Sequence, residues 1–180
     1  DYLKKGYLKE ALLNFMALLG WHPGEGEEKE IFSKDELIEL FDIERVNSAG
    51  AVFNAEKLNW MNAEYIKHYD IDKLTELTLP YMNAGGIDTS DIAKTRRVVT
   101  AIRNYISRLD ESVSQAGIFY KDVILNESQR EIVETESSKR IFEKICSKAE
   151  ELLEITIDGF KPIVSQVQKE TGIKGKDLFM

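Results

Sequence analysis

Cysteine occurs once in the 180 residues, at Cys146, so no disulfide can close within this chain, which fits a reducing cytoplasm. Histidine occurs twice, at His22 and His68, and with a single thiol that is too few for a zinc site of the His/Cys type. No apolar run approaches the roughly 18 residues that a membrane-spanning helix requires. No basic segment followed by an apolar one marks a secretion signal. Bases are outnumbered, 24 Lys and Arg against 32 Asp and Glu, and the net charge of −8 by itself argues against a nucleic-acid binder. Against these shortages stands an ordinary hydrophobic fraction of 43%, which excludes disorder, and a length that suits one large domain or two small ones.

Only three prolines and 11 glycines interrupt the chain, and its apolar residues recur at helical spacing, which predicts an all-α fold. Leu8, Leu12, Phe15, Leu18 and Leu19 form one such stripe, ended by Gly20. Trp21–Glu30, with Pro23, Gly24 and Gly26, reads as an exposed loop. Ser33 and Glu36 are spaced as a capping box for a helix through Leu37, Leu40 and Phe41. Asn54 is the natural cap of a helix carrying Leu58, Met61, Tyr65 and Ile66, and Asp70 or Asp72 caps another running toward Pro80. Ala84-Gly85-Gly86 is the clearest break. Beyond it, Asp88 to Leu109 reads as one long helix, followed by helical stretches over 126–136, 137–153 and 157–172. The chain begins on Asp1 without a methionine and ends on the apolar Leu178-Phe179-Met180, which fits a piece of a longer protein.

The segment Lys94 to Arg108 holds five cations, Lys94, Arg96, Arg97, Arg103 and Arg108, and no acid, so it carries +5 and the rest of the chain −13, which together make the net −8. On a continuous helix Val98, Ile102, Ile106 and Leu109 share one face, and the arginines spread over the other with Tyr105 at the boundary. An outward arginine ridge beside a tyrosine suits RNA, because guanidinium groups pair with phosphate and stack on bases. A solvated face neutralised by nearby acids fits the same spacing. Trp60 is open between a core residue and a base-contacting aromatic. His22 and His68 have no nucleophile at a telling spacing, and Cys146 reads as a buried or inert thiol. The carboxylate pairs Glu27/Glu28 and Glu150/Glu151 mark solubility, and Gly172-Ile173-Lys174-Gly175-Lys176 is too short for a phosphate loop.

Gly6-Tyr7-Leu8-Lys9-Glu10-Ala11-Leu12-Leu13-Asn14-Phe15-Met16-Ala17-Leu18-Leu19-Gly20-Trp21 resembles the segment that follows the second catalytic motif of bacterial glutamyl-tRNA synthetases. Glu30-Ile31-Phe32-Ser33 leading to Asp42-Ile43-Glu44-Arg45-Val46 fits the same region, as do Ala51-Val52-Phe53-Asn54, Lys57-Leu58-Asn59-Trp60-Met61-Asn62 and Tyr65-Ile66. Thr171 to Met180 is similar to the start of a further family motif.

The resemblance implies a helical stem-contact domain over 1–69, an anticodon-binding subdomain over 70–122 and a second, incomplete one over 123–180. It implies that ligation of glutamate to tRNA, with ATP and magnesium, belongs to a catalytic domain outside this chain, whose two signature motifs this chain does not contain. This chain would then be noncatalytic, monomeric and without a cofactor or metal of its own. Carried over by position, Arg45, Asn47, Lys57 and Trp60 would touch the inner corner of the tRNA, and Lys94, Arg96, Arg97, Arg103, Tyr105 and Arg108 its anticodon arm. Tyr105 stands where family members that separate glutamate from glutamine tRNA often place an arginine, which implies acceptance of both tRNAs. The alternative reading is an acidic helical protein–protein interaction module with no RNA role.

Overall fold

The computed structural model describes residues 1–24, 29–47, 50, 52–122, 124–151 and 157–172, with the backbone alone at Ile157 and Asp158. Among the described residues nine α-helices run in order: α1 Lys9–Gly20, α2 Lys34–Leu40, α3 Ala55–His68, α4 Ile71–Ala84, α5 Ile92–Ile102, α6 Ser112–Ala116, α7 Glu127–Val133, α8 Glu136–Glu150 and α9 Ile157–Thr171. The only β pairing among the described residues is an isolated bridge between Trp21 and Val46. The chain divides into two compact units, Asp1–Asp122 and Val123–Met180.

Local chemistry starts most of these helices. Ser33 Oγ accepts from the Glu36 amide, and the Glu36 carboxylate accepts from the Ser33 amide, closing the box at α2. A hydrogen bond from Lys29 and these amide contacts hold the Glu36 carboxyl down at about 2. Asn54, Asp70 and Asp91 cap α3, α4 and α5 by accepting from the third residue beyond each. α4 does not stop at Pro80 but continues to Ala84. Proline takes away the amide that would serve the Glu76 carbonyl, and both residues are exposed, so water can serve it instead.

In the first unit α1 and α3 pack through Tyr7, Phe15, Leu58 and Met61. A larger cluster joins Leu8 and Ala11 to Ile66, Leu74, Met82, Val98, Val99, Ile102 and Leu109. Residues on both sides of position 69 therefore share one core. Two fully buried asparagines tie the loops to it. Asn62 Oδ1 accepts from the Leu8 amide at 2.8 Å while its Nδ2 donates to the Ser107 carbonyl at 2.5 Å. Asn14 Oδ1 accepts from the Phe32 amide and the Tyr65 hydroxyl, both at 2.7 Å. Burial pushes the Tyr65 hydroxyl up to about 12, which keeps it a neutral donor at physiological pH.

Three sequence expectations are corrected here. Trp21 is not part of an exposed loop: it is 3% exposed and packs edge-on against Phe32 beside Leu37. Asp88 to Leu109 is not one helix. α5 opens at Ile92 and closes at Ile102, a 3-10 turn follows over Arg103–Tyr105, and Ile106 and Arg108 are extended. Tertiary bonds override helix propensity there, because Ser107 and Leu109 pair with Asn62 and Gly6 and leave the i−4 ladder. Cys146 is exposed rather than buried. In the second unit the apolar contact among the described residues runs from the Ile141 and Ile145 stripe of α8 to Ile163 and Val167 of α9, and Cys146 lies off it.

Candidate nucleic-acid interface

The end of α5 at Ile102 redistributes the cations of Lys94 to Arg108. On α5 itself Lys94, Arg96 and Arg97 stay outward. The Lys94 ammonium lies 4.3 Å from the centre of the Tyr120 ring. Arg96 meets Asp72 at 2.5 Å in an exposed pair. Exposed pairs of this kind are worth little, so a phosphate can displace the carboxylate cheaply. Arg97 is exposed and makes no hydrogen bond or ion pair among the described residues. Tyr105, on the 3-10 turn, is 74% exposed.

Arg103 departs from the expected outward ridge. Its guanidinium donates to the carbonyls of Ile66 at 2.9 Å and Tyr69 at 2.7 Å. These lie at the end of α3, where carbonyls have no partner within the helix, so Arg103 caps one helix from another. Arg108 also turns away from solvent, bound to Asp110 at 3.0 Å and Glu111 at 3.2 Å, and these neighbours raise its pKa. The structure thus leaves Arg96, Arg97 and Tyr105 exposed and Lys94 half-buried, and assigns Arg103 and Arg108 to the fold. Arg103→Lys is expected to cost about 1–2 kcal/mol of stability through loss of the forked donor, with RNA affinity of the folded protein within twofold of wild type. Thermal denaturation beside a binding titration checks both parts.

The four expected stem contacts occupy two places. Arg45 sits in a 3-10 turn over Ile43–Arg45, where Nη1 donates to the Pro23 carbonyl at 2.5 Å and Nε lies 3.6 Å from Asp42. The Asn47 amide donates to the Gly20 carbonyl at 2.6 Å, next to the Trp21–Val46 bridge. Lys57 and Trp60 belong to α3. Lys57 pairs with Glu30, and Trp60, at 44% exposure, stands outside every buried cluster. Its exposure rules out the core reading. Trp21 also lines a cavity of about 670 Å³, whose walls include Met16, Ile38 and Phe41 with Lys34 as its charged group. His68 Nδ1 donates to the Glu64 carbonyl, 2.9 Å away on its own helix. No group of three metal-binding side chains occurs among the described residues, and no described helix is long and apolar enough to cross a membrane.

Sequence reasoning did not single out Phe119, which is 41% exposed on a 3-10 turn over Gly117–Phe119. The signal available was the run Ile118-Phe119-Tyr120-Lys121 directly after Gly117.

The cationic face and Tyr105 lie inside residues 73–180, which match the family model described as "Anticodon binding domain". The chain belongs to the anticodon-binding domain family. Residues 1–60 match a second model, "tRNA synthetases class I (E and Q), catalytic domain". All of the chain aligns with glutamate–tRNA ligases, at 40% identity with that of Bacillus subtilis and 36% with that of Carboxydothermus hydrogenoformans. The chain spans 38% of the length of these relatives. A crystal structure of a glutamate tRNA ligase from Elizabethkingia meningosepticum matches 97% of the chain and 34% of its own, with a TM-score of 0.76 at 23% identity. One of glutamate–tRNA synthetase from Elizabethkingia anophelis gives 0.72 at 24% identity. These neighbours bear out the all-α fold.

Proposed function

We propose that this anticodon-binding family member is the tRNA-gripping part of a glutamate–tRNA ligase. The reading rests on one conjunction: the segment that matches the anticodon-binding model is the one in which Lys94, Arg96, Arg97 and Tyr105 face outward. In this reading glutamate, ATP and magnesium are handled by catalytic-domain residues supplied in cis, and this chain binds as a monomer. The outward cations position the anticodon arm by phosphate contacts, which carry no sequence information of their own. Arg45, Asn47, Lys57 and Trp60 serve the inner corner of the tRNA. Nothing in the comparisons favours the protein-interaction module.

The exposed Tyr105 supports the finer part of the reading. A tyrosine on an open turn offers a ring and a hydroxyl that accommodate either C or G at the third anticodon base, where an arginine would repel G. The chain should therefore bind glutamate and glutamine tRNAs alike. Titration of the chain with both tRNAs over a range of salt is the test. Affinities within about threefold of each other are expected, with a log–log salt slope of about −3 to −5 from the three cations of α5 together with Arg45 and Lys57. Strict rejection of glutamine tRNA would remove the finer claim. A flat salt response, or no binding to either tRNA at low salt, would remove the whole reading.

A further inference from the structure

A cavity of about 350 Å³ opens beside α5, lined by Lys94, Arg97, Val98 and Phe119. Its two cations are spaced i, i+3 and so share one face of the helix. Neither cation forms an ion pair with a carboxylate among the described residues: Lys94 rests over the Tyr120 ring and acts on Asp88 only through its charge, and the Arg97 side chain makes no polar bond among them. Opposite them stands Phe119, a large apolar ring left 41% exposed, next to Ile118 at 67%.

The turn that presents Phe119 is fixed in place. Thr95, fully buried on α5, meets the Tyr120 hydroxyl at 3.0 Å and donates to the Asp91 carbonyl at 2.9 Å. The Lys94 ammonium over the same Tyr120 ring adds a second tie. Phe119 is thus held at the mouth of the cavity by its neighbour, at little conformational cost on binding.

We infer that this cavity is a subsite for one unstacked nucleobase of single-stranded RNA, its ring on Phe119 and its flanking phosphate between Lys94 and Arg97. An aromatic face beside two cations that have no carboxylate partner among the described residues is the combination that such a nucleotide satisfies, since every base offers a π-face and each carries a phosphate. A paired base cannot use it, because its faces are already stacked within the helix. The inference rests on the proposed tRNA-binding function and deepens it by naming where an unpaired base is held.

The test is titration of the 180-residue chain with glutamate tRNA at several salt concentrations, comparing wild type, Phe119→Leu, Phe119→Trp and Arg97→Gln. Phe119→Leu should weaken binding about tenfold with an unchanged salt slope, because stacking is lost and no phosphate contact is. Phe119→Trp should restore wild-type affinity. Arg97→Gln should lower the slope by about one. Matching circular dichroism melts show that the variants fold, and a loss of fold through Phe119→Leu leaves the Phe119→Trp and Arg97→Gln results to decide. Wild-type affinity in Phe119→Leu, or a slope unchanged in Arg97→Gln, overturns the subsite while leaving tRNA binding intact. Equal competition by a polyglutamate peptide also overturns it, in favour of an acidic protein ligand. A wild-type chain that binds no tRNA overturns both the subsite and the function on which it rests.

Discussion

Gly6→Ala is expected to destabilise the first unit by about 3 kcal/mol or more, among the largest effects of any single methyl group in this chain. Gly6 sits at φ +84°, in the left-handed region that side chains disfavour. A Cβ there would lie 2.6 Å from the Leu109 nitrogen and 2.7 Å from that of Asp110, and backbone cannot swing aside as a flexible side chain can. The same residue accepts from the Leu109 amide at 3.0 Å. Relieving the clash means breaking that bond. The Gly6–Leu109 contact draws the chain out of helical geometry after Tyr105, so the variant also disturbs the turn on which Tyr105 is displayed. Urea denaturation of the chain measures the loss, and a shift below 1 kcal/mol would contradict this account of the contact.

Asn62→Ala should cost about 2–4 kcal/mol, for an unrelated reason. The side chain is fully buried and serves two backbone groups that have no other partner among the described residues, the Leu8 amide and the Ser107 carbonyl. Truncation removes both bonds and leaves both groups desolvated, at about 1–3 kcal/mol for each unsatisfied group. Asn62→Asp should be at least as damaging. A carboxylate can accept from Leu8 but cannot donate to Ser107, and it brings a charge into the core. Paired denaturant titrations of the two variants check this. A variant as stable as wild type would show that the two backbone groups find partners elsewhere.

Elements set by contacts three residues apart were legible from the sequence. The caps at Ser33 and Asn54 depend on a side chain and an amide in the same turn and stand where the sequence places them, and of the two candidates Asp70 and Asp72 the structure uses Asp70. The end of α5 was not legible, because its cause lies in Gly6 and Asn62, far away in the chain. The same distance hid the role of Arg103. Helical spacing put it on a charged face, whereas the carbonyls it serves are 34 and 37 residues earlier. Trp21 stood among loop-forming glycines and a proline, and only its contacts with Phe32 and Leu37 reveal that it is core. The charge balance was legible in part: a local excess of cations on α5 survives within a net charge of −8, but two of the five cations are spent on the fold. The expectations for residues 173–180 lie outside the described residues.

Hydroxyl-radical footprinting of glutamate tRNA bound to the 180-residue chain tests the central claim most directly. Protection of the sugar backbone in the anticodon arm is predicted, weakened there by Arg97→Gln, with a second protected patch at the inner corner of the L. Protection confined to the acceptor end, or a uniform pattern that Arg97→Gln leaves unchanged, would contradict it.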